Sequence, residues 1–139
     1  MKILGVDYGL ARTGLAIIDT AAPIALPLRS ITAGGAEGVA EAVATAAVVE
    51  AADRIVVGLP RRLAGGGEPG EMERAVAVFI GELRKRSAVP VDTEDERLTT
   101  DLVEAERRHA GVDRKHFDKD AAAAAVLLES YVARQSRRP

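Results

Sequence analysis

Apolar residues fall into short runs near the amino terminus of this chain. Ile3 to Tyr8 and Thr13 to Asp19 are two such runs around a Gly-containing turn, which predicts a β-hairpin. Ala25 to Thr32 carries Leu and Ile beside prolines, which suits a third strand at the edge of a sheet. Arg54 to Gly58 is a continuous apolar run, typical of a strand that is buried on both faces. We therefore expect a three-stranded meander followed by an interior strand.

Apolar residues with helical spacing occupy the segments between and after these strands. Ala36 to Ala52 follows a Gly-Gly pair, and Glu71 to Ser87 ends in three cations that suit the helix dipole. We expect a fifth strand over Val89 to Thr93 and two more helices, over Leu98 to His109 and over Asp118 to Arg134. The order βββαβαβαα predicts a mixed sheet covered by helices.

Length and composition agree with one folded domain. A chain of 139 residues with 47% hydrophobic and 29% charged residues is expected to form a single domain over 1–139. The basic tail 134–139 is expected to be flexible, and the breaker-rich segment 59–70 to be a long loop. Apolar stretches stay shorter than the roughly 20 residues of a bilayer span, and no signal-peptide core is visible, so we expect a cytoplasmic protein with no membrane partner.

Charge and residue usage limit the chemistry of any site. The net charge of -2 excludes a uniformly basic coat for nucleic acid, and 3% aromatic residues disfavour a sheet that stacks bases. The chain has no cysteine, which excludes disulfides, thiolate zinc sites and cysteine nucleophiles. Any metal ion is therefore expected to be held by oxygen atoms.

Acidic residues stand at three predicted strand or helix ends. They are Asp7, the segment Glu94 to Glu96 after the fifth strand, and Asp118 with Asp120. Each has a structural alternative: a turn cap, a solvated loop, and an N-cap that explains Asp118 better than Asp120. Such ends gather in one crevice of an open α/β sheet, where two charges about 4 Å apart repel by roughly 4 kcal/mol. The three clusters predict a site for Mg²⁺ or Mn²⁺ and two-metal hydrolysis of a phosphodiester.

Four ordered motifs then give the chain a family resemblance. They are Val6-Asp7-Tyr8-Gly9 with Arg12 and Gly14, Val57-Gly58-Leu59-Pro60, Asp95-Glu96-Arg97-Leu98-Thr99-Thr100, and Asp120 before an Ala-rich stretch that ends at Leu128-Glu129-Ser130-Tyr131. On these motifs the chain resembles the YqgF-type family of Holliday junction resolvase-like nucleases, also described as pre-16S rRNA nucleases, over nearly its whole length. The resemblance implies an α/β, RNase H-like fold: a five-stranded mixed sheet of order 3-2-1-4-5 with helices on both faces.

The same resemblance assigns the site. It implies that Asp7, Glu96 and Asp120 are the catalytic and metal-binding residues, with Mg²⁺ or Mn²⁺ as cofactor and two ions present when substrate is bound. Asp95 and Asp118 are then expected to lie beside the ligands and orient them.

Basic residues near the predicted acids are candidates to contact nucleic-acid phosphates. Any one of them could instead be a solvated surface cation, and Arg97 an ion-pair partner. Binding through them should weaken steeply with salt. The candidates are Arg12, Arg61, Arg62, Arg97, Arg114 and Lys115.

The resemblance implies a nuclease that processes the 5′ end of pre-16S rRNA during ribosome biogenesis. Two alternatives stay open: a Holliday junction resolvase acting on four-way DNA junctions, and a non-catalytic RNA-binding factor in ribosome assembly. An actin-like or sugar-kinase ATPase also uses Asp-x-Gly in its first hairpin, but its two lobes need a longer chain. A junction resolvase needs two sites related by two-fold symmetry, so a homodimer is left open.

Overall fold

The computed structural model describes residues 1–32, 34–60, 70–95 and 118–136. These ranges form five strands and three helices. The predicted helix over 98–109 and the central part of the predicted loop over 59–70 lie outside the described residues. The strands are β1 (Lys2–Asp7), β2 (Thr13–Asp19), β3 (Ala22–Ile31), β4 (Arg54–Leu59) and β5 (Val91–Asp95), and the helices are α1 (Gly35–Val49), α2 (Glu71–Arg86) and α3 (Lys119–Ser136).

The five strands form one mixed sheet of order β3-β2-β1-β4-β5. The meander β1-β2-β3 is antiparallel, whereas β4 runs parallel to both β1 and β5. The predicted sheet and strand order are therefore confirmed. β3 lies at one edge, as its prolines predict, and β4 lies inside the sheet between β1 and β5.

Helices cover both faces of the sheet, as predicted. On one face α1 and α2 pack against a core that includes Leu4 and Val6 of β1. On the other face α3 packs against Ile3 of β1 together with residues of β2 and β4. Side chains of a strand point alternately to its two faces, so each residue of β1 can be assigned to the α1/α2 face or to the α3 face.

Small residues let α3 lie close to the sheet. The helix buries Ala121, Ala122, Ala124 and Ala125 in its first two turns. Further along, a Cβ at Gly5 of β1 would lie 2.8 Å from Leu128 Cδ1, closer than side chains approach. This close contact favours glycine on the strand and sets the distance between α3 and the sheet.

Most predicted boundaries differ from the observed ones by one to three residues, and two of these differences concern residues near the candidate site. β5 spans Val91–Asp95, not Val89–Thr93, so Glu94 and Asp95 are strand residues and do not follow the strand as predicted. The last helix continues to Ser136, so its end overlaps the predicted tail 134–139. Within the described ranges no helix has the length and apolar character that a membrane crossing needs.

Candidate active site

Asp7 ends β1 on the α3 face of the sheet. Ile3 belongs to the core under α3, and Gly5 touches Leu128 of that helix. Asp7 follows at the same alternation, whereas Tyr8 turns to the other face and stacks on Phe79 of α2 with ring centroids 4.4 Å apart. The first predicted acid is thus directed toward the helix that carries the third.

The close approach of α3 to Gly14 brings the backbone of Asp120 near Asp7. Gly14 is the antiparallel partner of Asp7. A Cβ at Gly14 would overlap the carbonyl group of Asp120 and lie 2.6 Å from the Ala121 nitrogen, so the first turn of α3 rests on this glycine. Antiparallel partners have Cα atoms about 5 Å apart, so the backbones of Asp7 and Asp120 are separated by the width of one strand.

Asp118 is the N-cap of α3. Its Oδ1 accepts hydrogen bonds from the Ala121 N–H at 3.0 Å and from Ser30 Oγ of β3 at 2.6 Å. Burial raises the pKa of Asp118, but the hydrogen bonds from Ser30 and from backbone N–H groups, with the nearby Arg12, lower it more, so the pKa lies below its usual value. Asp118 therefore fixes the start of α3 beside Asp120.

Arg12, in the turn that joins β1 to β2, forms an ion pair with Asp120 of α3. Its Nε lies 3.2 Å from Asp120 Oδ2, and the Arg12 side chain is 64% exposed. An exposed pair of this kind adds little stability, because water screens it and both side chains lose freedom. Its significance is electrostatic: a cation already faces the Asp120 carboxylate, at a position open to a phosphate from solvent.

The acids of β5 point to different faces of the sheet. Glu94 is 5% exposed and contacts Arg134 of α3, so it lies on the α3 face. Asp95, the partner of Leu59 in β4, then points to the α1/α2 face by alternation. The alternative of a solvated loop is therefore wrong for Glu94. No local pattern indicates this burial, because the Arg134 partner lies 40 residues further along the chain.

Several predicted site residues lie outside the described residues. Of the three predicted metal ligands, the structure brings Asp7 and Asp120 together. Glu96, which follows β5 by one residue in the sequence, lies outside the described residues. Among the residues that the structure describes, no three carboxylates or histidines form a group that could hold a metal ion. The other predicted residues outside the described ranges are Arg61, Arg62, Arg97, Arg114 and Lys115.

The arrangement combines two carboxylates with one exposed guanidinium at the carboxyl end of β1. Carboxylate oxygens are the ligands that Mg²⁺ and Mn²⁺ prefer, and a guanidinium can bind a phosphate through two hydrogen bonds. Ligands of open α/β sheets bind in the crevice at the carboxyl ends of the parallel strands, which is where these residues lie.

Comparison with known proteins shows the family. Residues 1–134 match the family model described as "RuvX: Holliday junction resolvase". The chain belongs to this family. Relatives include the "Putative pre-16S rRNA nuclease" of Nitratidesulfovibrio vulgaris strain DP4, 36% identical and covering 96% of this chain and 94% of that protein. The protein of the same name from Desulforudis audaxviator is also 36% identical, and 99% of each chain is covered.

Solved structures agree on the fold. RuvC of T. thermophilus, determined in complex with a Holliday junction substrate, superposes with a TM-score of 0.64 over 99% of this chain and 96% of that one. At 15% identity this likeness shows the fold alone. Membership of the RuvX family and the RuvC-like fold confirm the predicted RNase H-like architecture and the predicted enzyme class, a nuclease.

Proposed function

We propose that this chain is a divalent-metal-dependent nuclease that processes the 5′ end of pre-16S rRNA, with Asp7, Glu96 and Asp120 as its catalytic and metal-binding residues. The observation that carries the proposal is the contact at Gly14, which brings the start of α3 and Asp120 against the strand that pairs with Asp7. The names of the relatives at 36% identity supply the substrate. The predicted cytoplasmic location agrees with such a substrate.

The residues fit Mg²⁺ or Mn²⁺. Asp7 and Asp120 offer only carboxylate oxygens, and the chain has no cysteine. When bound, two such ions would activate the attacking water and stabilise the leaving oxygen. Asp7 and Asp120 are the described residues that would hold them, and Glu96 is the predicted third.

Arg12 is the described residue best suited to bind the substrate backbone. It is exposed, it lies beside Asp120, and its guanidinium can orient a phosphate at the acids. Arg61, Arg62, Arg97, Arg114 and Lys115 stay predicted phosphate contacts. Asp118 is proposed to support the site by fixing the first turn of α3. Asp95 stays a predicted supporting residue, and it lies on the opposite face of β5 from Glu94.

A second candidate substrate is a four-way DNA junction. The description of the matching family and the RuvC neighbour both favour it, and the same acids would serve either substrate. Junction resolution requires two symmetric sites in a homodimer, whereas trimming of an RNA end can be done by a monomer.

The experiment compares cleavage of an RNA carrying the unprocessed 16S 5′ end with cleavage of a four-way DNA junction, in Mn²⁺, in Mg²⁺ and in EDTA. We expect cleavage of the RNA that needs either ion and falls at least about 10²-fold in Asp7→Asn, Glu96→Gln and Asp120→Asn. Asp53→Asn is the matched control, because Asp53 accepts a hydrogen bond from Lys2 N at the opposite end of β1. Equal rates in all variants would leave only an RNA-binding protein with this fold.

A further inference from the structure

Glu94 lies in the same row of the sheet as Asp7. Continuing the β1–β4 register by one residue places Asp7 beside Gly58, and Gly58 is the partner of Glu94 in β5. Both acids are on the α3 face, and the residue between them has no side chain. Two strand spacings separate their Cα atoms by about 10 Å.

The Glu94 carboxylate is buried and only half satisfied. The residue is 5% exposed, and Oε1 accepts a 2.5 Å hydrogen bond from Arg134 Nη1. Oε2 is buried with no hydrogen-bond partner among the described residues. Buried carboxylate oxygens are nearly always paired, and an unpaired one calls for an explanation such as an ion.

Other acids on this strand do not share this feature. Asp92, two residues earlier on the same face, accepts a 2.8 Å hydrogen bond from Tyr131 Oη and bonds the Thr93 N–H at 2.8 Å. The unsatisfied oxygen thus lies at the end of β5 that is nearer to Asp7.

We propose that Glu94 supplies a carboxylate oxygen to a divalent cation on the β5 side of Asp7, an inference that rests on the proposed metal-dependent function. Asp120 lies on the β2 side of Asp7. No three described acids could hold one ion together, so the ion at Glu94 is a different one from any held between Asp7 and Asp120. Arg134 holds Oε1 and leaves Oε2 for the cation.

The test measures Mn²⁺ binding to the metal-free full chain by the electron paramagnetic resonance signal of free Mn²⁺. Glu94→Gln keeps the size of the side chain and its acceptor for Arg134. We expect it to weaken Mn²⁺ binding at least tenfold, or to remove one bound ion per chain. Asp92→Asn is the control and should bind within twofold of the wild type.

A structural clamp between β5 and α3 predicts a different result. In that case Glu94→Gln and Arg134→Gln would lower the melting temperature in EDTA alike and leave Mn²⁺ affinity unchanged. Our inference predicts that Arg134→Gln binds Mn²⁺ as tightly as the wild type or more tightly, because it frees Oε1. Mn²⁺ affinity of Glu94→Gln within twofold of the wild type, or an equal loss in Arg134→Gln, would overturn it.

Asp7→Asn separates this inference from the proposed function. If Asp7→Asn loses Mn²⁺ and Glu94→Gln does not, the inference on Glu94 fails and the proposed site stands. If Asp7→Asn binds Mn²⁺ as the wild type does, the proposed metal site itself fails, and with it the inference.

Discussion

The residue that positions the site most directly is Gly14, which has no side chain of its own. It stands between Asp7, its strand partner, and the first turn of α3 above it. The site needs acidic side chains, and the absence of a Cβ at Gly14 allows Asp120 to lie close to Asp7. Gly14 belongs to the first of the four sequence motifs, and its contact with α3 gives a physical reason for a glycine at this position.

Gly14→Ala should displace the start of α3. The new Cβ would meet backbone atoms of Asp120 and Ala121, which cannot rotate away. We expect a loss of about 1–3 kcal/mol in the free energy of unfolding, measured with urea, together with loss of nuclease activity. Gly38→Ala is the control, because a Cβ there meets nothing within 4 Å and alanine favours the helix. An active, fully stable Gly14→Ala protein would contradict this role.

Arg12→Ala should weaken substrate binding and leave the fold intact. The side chain is largely exposed, so the free energy of unfolding should change by less than about 0.5 kcal/mol. The slope of log affinity against log salt should become shallower by about one, since one phosphate contact is lost. Lys85→Ala is the control, because Lys85 is an exposed cation of α2 on the opposite side of the sheet. An unchanged salt slope for Arg12→Ala would show that this residue does not contact the phosphates.

At the scale of elements, α3 connects the two ends of the site. Its N-cap Asp118 bonds to Ser30 of β3, and at its far end Arg134 bonds to Glu94 of β5. Between them, Tyr131 Oη accepts a hydrogen bond from Arg54 and donates one to Asp92, both at 2.8 Å. One helix thus spans the sheet and bonds to side chains of β3, β4 and β5.

Asp118→Ala should destabilise the protein in a pH-dependent way. Loss of the N-cap costs about 1 kcal/mol at neutral pH. Because the folded pKa of Asp118 is lowered below about 3.8, its charged form stabilises the fold above that pH, and this contribution is lost as the pH falls further. Urea unfolding at pH 7 and near pH 3 should show the difference from the wild type shrink with acidity. A difference that grows with acidity would contradict the assignment.

The same elements show how far the sequence could predict the fold. The interior position of β4 and the edge position of β3 follow from an unbroken apolar run and from prolines, both of which are local signals. The predicted end of β5 is wrong because Glu94 looks like a loop residue in the sequence. Its partner Arg134 is 40 residues away, so no local pattern reveals that Glu94 is buried.

At the scale of the molecule, the order of strands makes the site. β1 is central, and its neighbours on both sides carry a glycine at the level of Asp7: Gly14 in β2 and Gly58 in β4. This leaves a row in which the acids of β1 and β5 and the first turn of α3 share one face. The family resemblance predicted the order of the strands. The register that aligns Asp7 with Gly14, and the contact of α3 with Gly14, could be seen only in the structure.

The rate of RNA cleavage in a double-mutant cycle of Asp7→Asn and Asp120→Asn tests the central claim most directly. If the two carboxylates act as one metal-binding unit, each single variant should lose at least about 10²-fold in single-turnover rate, and the double variant should be hardly slower than either. Losses that simply multiply, or a single variant that cleaves at the wild-type rate, would contradict a shared role for these two residues.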